Sequence, residues 1–471
     1  MSDKNYLEGS ACPPCSSAPI STTKDYEKMY PELLKSKKIA SIAILLLSVV
    51  YVKLVLFSDL QIHYKWTFLF FFLLFFTTVE LFARLLKQNA TRESWFWAGV
   101  MIAIPLGSAL FENYFYLSPW TGLFTHLAAA QFALTRMGGA AESQAGALIG
   151  LDMVRAWFIL PFSNFLKNIK VLFWGNNKPK IHLNSKGFLW TALGVVLALP
   201  ICLWAFSTLV KADGMFAYSM ETIIPWIAQL DVIGWLFERI NPIMLFLYGF
   251  FWCWFYGLMY GAFHQKESTH SIKTQEIYNI ADKIRMFPKQ TINTVFVLLC
   301  GLYFVFFITQ LQYLTMGFVG QLPKEYTAAE YAREGFFELV RIATVNLIVL
   351  AVGAKLSAIP LRKNKWLKIG GSVLCVCNIL FAVIAFSKLW LYIERFGITY
   401  KRVLAIYAVC IILIWSVLAV VTLFHPFKAL VYAIHIAAIL FCIFCFVDWN
   451  TIQKEFERNT TDTVSYSQMM H

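Results

Sequence analysis

Charge is scarce in this sequence. Only 14% of its 471 residues are Asp, Glu, Lys or Arg, while 59% are hydrophobic and 17% aromatic. A soluble chain carries about a quarter charged residues. The excess of apolar side chains is more than an aqueous core can bury, which excludes a single soluble domain and a disordered protein. Acids are scarcer still, at 27 against 40 Lys and Arg for a net charge of +13. No basic stretch is large enough to form a separate domain, so a nucleic-acid partner is not expected. Basic loops held against an anionic lipid leaflet are the simpler reading.

A disulfide framework is also missing. Eight of the ten cysteines (Cys202, Cys253, Cys300, Cys375, Cys377, Cys410, Cys442 and Cys445) lie in apolar runs, where they act as small hydrophobes. Cys12-Pro13-Pro14-Cys15 has redox spacing, but no second pair and no βαβ pattern accompany it. It reads as two exposed thiols in a disordered tail. No sheet-forming alternation, Gly-rich phosphate loop or HExxH pair occurs, and the polar N-terminus is no signal peptide. No catalytic residue, metal or cofactor is therefore assigned, and an enzyme is not the favoured reading.

What the chain has in abundance is long apolar runs. At about 20 residues per crossing there are about eleven spans. They cover approximately 39–57, 66–86, 95–112, 115–134, 187–210, 242–263, 290–313, 336–359, 369–391, 402–424 and 428–447. The expected fold is an all-α polytopic transmembrane bundle. Its parts are a cytoplasmic, disordered tail 1–38, four helices in 39–134 and a cytoplasmic loop 135–186; a seven-helix region 187–447 and a polar tail 448–471 follow.

Lys35, Lys37 and Lys38, Lys87 and Arg92, Arg136 to Lys186, Lys266 to Lys289 and Arg362 to Lys368 alternate to one side if the N-terminus is cytoplasmic. The odd count then puts the C-terminus outside. Gln144–Trp174 and Met215–Ile240 mix aromatic and charged residues at helical spacing, the pattern of two interfacial amphipathic helices. Gly138-Gly139-Ala140-Ala141 is a small-residue connector or close-packing site.

The eighth span departs most from a plain apolar helix. Glu330, Glu334, Glu338 and Arg341 fall within about 80° of one another on a helix, flanked by Arg333 and Asn346. An Arg or acid at the bilayer centre costs about 2.5–3.5 kcal/mol, so the stripe should face the bundle, water or the interface. Two readings stand: a Glu338–Arg341 pair locking neighbouring helices, or a polar outward-facing cavity for a charged substrate. Among the other intramembrane polar groups, Glu80 and Arg84 pair at i,i+4 and Lys53 and Lys388 snorkel to the outer interface. Glu112, Gln310 and Gln312 end spans, and His435 bonds between helices. Asp59 is the one acid placed as in lipid-linked glycosyltransferases, in a loop too short for theirs.

The second half resembles a bacterial multi-pass membrane family known only as domain of unknown function 4173, close to 4153. The resemblance rests on Tyr303 to Tyr313 and on Glu330-Tyr-Ala-Arg-Glu-Gly-Phe-Phe-Glu338. It continues through Tyr392-Ile-Glu394-Arg395-Phe-Gly397-Ile-Thr399 and Arg402 to Tyr407. It implies a bacterial plasma-membrane protein and supplies no activity. Both blocks map to the outer side, where Arg333, Glu334, Glu338, Tyr392, Glu394, Arg395 and Arg402 would meet; Arg341 and Asn346 complete the candidate substrate-binding cavity. Such a cluster suits an anionic small molecule or lipid headgroup. The leading expectation is a transporter or a handler of lipids or envelope precursors. A non-enzymatic sensor or scaffold is second, and a membrane transferase third.

Overall fold

The computed structural model describes residues 23–57, 64–111, 119–141, 146, 148–174, 215, 218–219, 242–267, 285, 287–319 and 328–458. Among them helices dominate and no strand forms beyond one isolated bridge, Phe287 with Ser357. The long helices are α1 (Thr23–Tyr51), α2 (Tyr64–Leu85), α3 (Arg92–Leu110), α4 (Pro119–Arg136) and α5 (Pro242–Glu267). After them come α6 (Lys289–Val319), α7 (Ala328–Leu356), α8 (Lys365–Phe396), α9 (Tyr400–Phe424) and α10 (Ala429–Cys445).

Eight helices among the described residues are long and apolar enough to cross a membrane, or nine if the bent pair α10 and Trp449–Arg458 is one span. The protein is an all-α polytopic bundle. The expected span 187–210 and most of 215–240 lie outside the described residues, as do Cys12 and Cys15. Two boundaries move. Residues from Thr23 onward are already helical, so α1 takes in part of the expected tail. At the other end the chain turns by 60° into the helix Trp449–Arg458 instead of leaving as a plain tail.

Local sequence sets several ends. Thr91 and Ser94 form a reciprocal capping box, each backbone N–H donating to the other's hydroxyl at 3.1 Å, which starts α3. The Asn364 carbonyl oxygen accepts from Trp366 N at 3.0 Å and Leu367 N at 3.2 Å, starting α8.

The helices pack into two apolar cores. One gathers α1 to α5, α10 and the first half of α9 around Phe71, Phe72, Phe132 and Phe441. The other gathers α6 to α9 around Phe296, Phe381 and Leu374. Helix α9 serves both, with Val403, Tyr407 and Ile411 in the first and Val409, Ile412 and Leu423 in the second.

Segment 149–174 is a run of short helical pieces, Ile149–Val154, Leu160–Ser163 and Lys167–Ile169, joined by wide turns at Arg155–Ile159 and Lys170–Trp174. Its exposed residues include the apolar Leu151, Val154, Phe158 and Ile159, while Asp152, Ala156, Leu160 and Asn168 are buried. The buried side packs on α4 and α5. Gly257 of α5 lets this happen, because a Cβ there would collide with the backbone of Pro161. Trp157 reaches the α4–α5 contact, edge-on to Trp254 at 5.5 Å.

Candidate functional site

Helices α7 and α8 run antiparallel and carry most of the candidate residues. Glu338 and Arg341 on α7 are both exposed, and the expected pair between them is not among the ion pairs of the described residues. Glu338 instead lies within electrostatic reach of Lys388 on α8. Arg333 and Glu334 belong to the first turns of the same helix; their side chains lie outside the described set, as do Gln310 and Gln312.

Lys388 does not snorkel. It is completely buried, eight residues before the end of α8, and thus about 12 Å along the axis from that end. Its ammonium packs against the backbone of Gly335, where any Cβ would collide with Nζ, Cε and Cδ. The glycine of the Gly-Phe-Phe block is therefore the notch that admits the lysine. Lys53, by contrast, is exposed as expected.

Asn346 is also completely buried, but in a different setting. The Tyr303 hydroxyl of α6 donates to Asn346 Oδ1 at 2.6 Å, and Asn346 Nδ2 donates to Asn378 Oδ1 at 3.1 Å. Asn378 Nδ2 then donates to Ser416 Oγ at 2.8 Å, and that hydroxyl donates to the Ile412 carbonyl at 2.6 Å. One residue from each of four helices thus joins a single chain of hydrogen bonds through the second core. Asn378 and Ser416 each look like a lone polar residue in an apolar run, and only Asn346 stood out in the sequence.

Tyr392 and Arg402 do meet. The guanidinium sits 4.2 Å from the centre of the Tyr392 ring. It donates to the carbonyl of Phe396 at 2.6 Å and to that of Gly397. A cation on the last carbonyls of α8 complements the helix dipole, so Arg402 closes the α8–α9 turn. Glu394 and Arg395 are exposed beside it. The seven candidate residues whose side chains are described therefore do not form one cluster but fall into three groups: the Glu338–Arg341 face of α7, the α8–α9 turn, and the buried chain through Asn346.

Among the described residues, Glu80 joins α2 to α4 through an ion pair. Glu80 accepts from Arg84 at 2.7 Å, as the spacing implies, and also from Arg136 of α4 at 2.7 and 3.1 Å. Arg136 is buried and donates further to the Gln88 carbonyl at 2.8 Å. Its partner is 56 residues away in the chain, so by sequence alone it reads as a loop charge. His435 donates to Val431 of its own helix at 2.7 Å, with its ring 4.3 Å from that of Phe96. No group of three or more His, Cys, Asp or Glu placed to hold a metal occurs among the described residues.

A family model described as a domain of unknown function (DUF4153) matches residues 41–459. The match takes in the first half of the chain, where the sequence alone gave only agreement in hydropathy. No curated protein and no solved structure matches the chain.

Proposed function

We propose that this chain, which belongs to the DUF4153 family of domains of unknown function, carries or handles an anionic solute or lipid headgroup across or within its membrane. The reading places the work where α7 and α8 enclose Lys388, in the half of the bundle nearer the α8–α9 turn. The observation that carries it is that buried ammonium. A charge within a membrane span is costly and is held only against partners that compensate it. Lys388 feels the field of Glu338, and an anion entering from the exposed Glu338–Arg341 face would compete with that carboxylate for the lysine. Arg341 on the same face supplies a second cation capable of bidentate contact with phosphate or carboxylate.

The basic loops support an orientation with the N-terminus cytoplasmic and the charged face of α7 outward. The family resemblance adds a bacterial plasma membrane as the setting.

The test is electrical. Full-length protein in proteoliposomes on a solid-supported membrane is exposed to jumps of inorganic phosphate, glycerol 3-phosphate and acetate. A charge displacement that is retained in Lys388→Arg, and lost in a folded Lys388→Met protein, supports the reading. Equal responses from wild type and Lys388→Met, or none from either, overturn it.

A further inference from the structure

Four helix ends converge at the face of the bundle opposite the α8–α9 turn, and three of them are cationic. Helices α6 and α8 start there, and α7 and α9 end there. Phe296 of α6 is the pivot. It is completely buried, and a Cβ at Gly353 of α7 or Gly370 of α8 would stand only 3.4 or 3.2 Å from its side chain. A Cβ at Gly371 would meet Leu423 of α9 at 3.2 Å. Two backbone bonds fasten the chain entering α6 to the end of α7: Phe287 N–H donates to the Leu356 carbonyl at 3.1 Å, and Ala358 N–H to the Phe287 carbonyl at 2.9 Å. Buried Leu361 and the Asn364 cap fix the α7–α8 turn.

On this locked frame stand Lys289, Lys355, Arg362, Lys363 and Lys365, all exposed, and Lys368, half-buried with its ammonium 4.4 Å from the centre of the Phe424 ring. No Asp or Glu occurs among the described residues of 285–289, 353–368 and 424–432, and none of the six cations takes part in an ion pair among the described residues. The bias that orients spans is satisfied by basic residues scattered through a loop. Here they are concentrated where helix ends are held together. Trp366 projects from the first turn of α8, 69% exposed, as an interfacial tryptophan does, and Phe287 and Phe424 are exposed at the same level. Those aromatics keep the cations at the depth of lipid phosphates, which favours a lipid over an acidic protein.

We propose that this corner is a binding site for an anionic phospholipid with two phosphates in its headgroup. The phosphates are shared between Arg362, Lys363 and Lys365 on the α7–α8 turn and Lys289 and Lys355 beside it. A headgroup with one phosphate would leave most of these cations without a counter-charge, whereas basic pockets between membrane helices suit multiply charged lipids. Arg362 adds bidentate geometry. Lys388 lies toward the other end of α8, so the test of this site does not depend on the role given to that residue.

Native mass spectrometry of the full-length protein in a neutral detergent tests it, with tetraoleoyl cardiolipin, dioleoyl phosphatidylglycerol, dioleoyl phosphatidylcholine and a polyglutamate peptide as probes. Retained adducts should rank cardiolipin above phosphatidylglycerol and phosphatidylglycerol above phosphatidylcholine. Arg362→Gln/Lys363→Gln/Lys365→Gln should cut the preference for cardiolipin over phosphatidylcholine by about tenfold or more, the scale expected for three interfacial cations. Lys289→Gln/Lys355→Gln should cut it as well, through cations on two other helices, and it carries the test if the triple variant does not fold. Lys401→Gln/Lys454→Gln/Arg458→Gln removes three exposed cations at the opposite end of the bundle and should leave the preference unchanged. Cardiolipin retained no better than phosphatidylglycerol, an unchanged preference in either folded corner variant, an equal loss in the opposite-end variant, or displacement of cardiolipin by the peptide would overturn the proposal.

Discussion

Asn346 on α7 hands its amide hydrogen to Asn378 on α8 across 3.1 Å, deep in the second core. Neither residue touches solvent, and each is also bonded to a third helix, Asn346 to Tyr303 and Asn378 to Ser416. In hydrocarbon the alternative to each bond is an unpaired polar atom. Replacing Asn378 by Leu removes two of the bonds and leaves the Asn346 amide without its acceptor. Hydrogen bonds between membrane helices contribute about 0.6 kcal/mol on average and up to about 1.7, so a loss of about 1–3 kcal/mol is expected. Unfolding in mixed micelles by graded dodecyl sulfate measures it, and Asn378→Ser should lose less than Asn378→Leu. A Leu variant as stable as wild type would show that the chain holds nothing together.

Gly335 and Lys388 form a matched notch and key. Gly335→Ala alone should lower the melting temperature in detergent, because its methyl group meets the lysine's ammonium and last methylenes. Lys388→Met is more flexible and removes the charge. The double variant Gly335→Ala/Lys388→Met should therefore lose less than the two single variants together. Strict additivity would mean that the two positions do not press on one another.

Arg136 is a buried charge held by an ion pair and a backbone carbonyl. Arg136→Ala strands the Glu80 carboxylate with only the largely exposed Arg84, and the Gln88 carbonyl loses its donor. Breaking a buried pair in this way costs about 3–5 kcal/mol, whereas removing both charges costs much less. Arg136→Met/Glu80→Gln should recover a good part of the loss of Arg136→Ala. Arg136→Lys should fall between, since one ammonium cannot reproduce the bidentate contact. Thermal unfolding of the four proteins in one detergent decides the order.

Asp152 carries a dependence on pH. Its carboxylate accepts from the Ala141 N–H at 3.0 and 3.1 Å and from Arg155 at 2.5 Å, yet burial still pushes it up to about 6. The folded protein thus binds this proton more tightly than the unfolded chain. The resulting stabilisation is greatest below the ordinary aspartate range, near pH 3.8, and is lost as pH rises through about 6. The difference in melting temperature between wild type and Asp152→Asn should therefore grow in favour of the variant between pH 4 and pH 7. A pH-independent difference would refute that assignment.

Most helices were legible in the sequence because a bilayer reads only length and polarity, and runs such as 402–424 satisfy both. The stripe on α7 was legible for the same reason, since charges in an apolar run stand out. What could not be read was which helix each polar group would face. Lys388 looked like a lysine near an interface; its burial depends on Gly335, more than fifty residues earlier and on another helix. Arg136 was counted with the loops because Glu80, which fixes it, lies two helices back. Asn378 and Ser416 carried no pattern at all, being single polar residues whose meaning comes from Asn346. The sequence placed Tyr392 and Arg402 in one cluster with the α7 charges; the contact between these two and the capping of α8 by Arg402 depend on angles that spacing does not contain.

The sharing of α9 between the two cores bears on how the protein is made. Val403, Tyr407 and Ile411 complete a cluster whose other members come from α1 to α5, segment 149–174 and α10. A ribosome delivers α1 to α5 long before α9 and α10. The earliest helices therefore enter the lipid with an unfinished seam, which closes only when the last ones arrive. A chain truncated before Tyr400 would leave its first half with an open core and not merely lack its second.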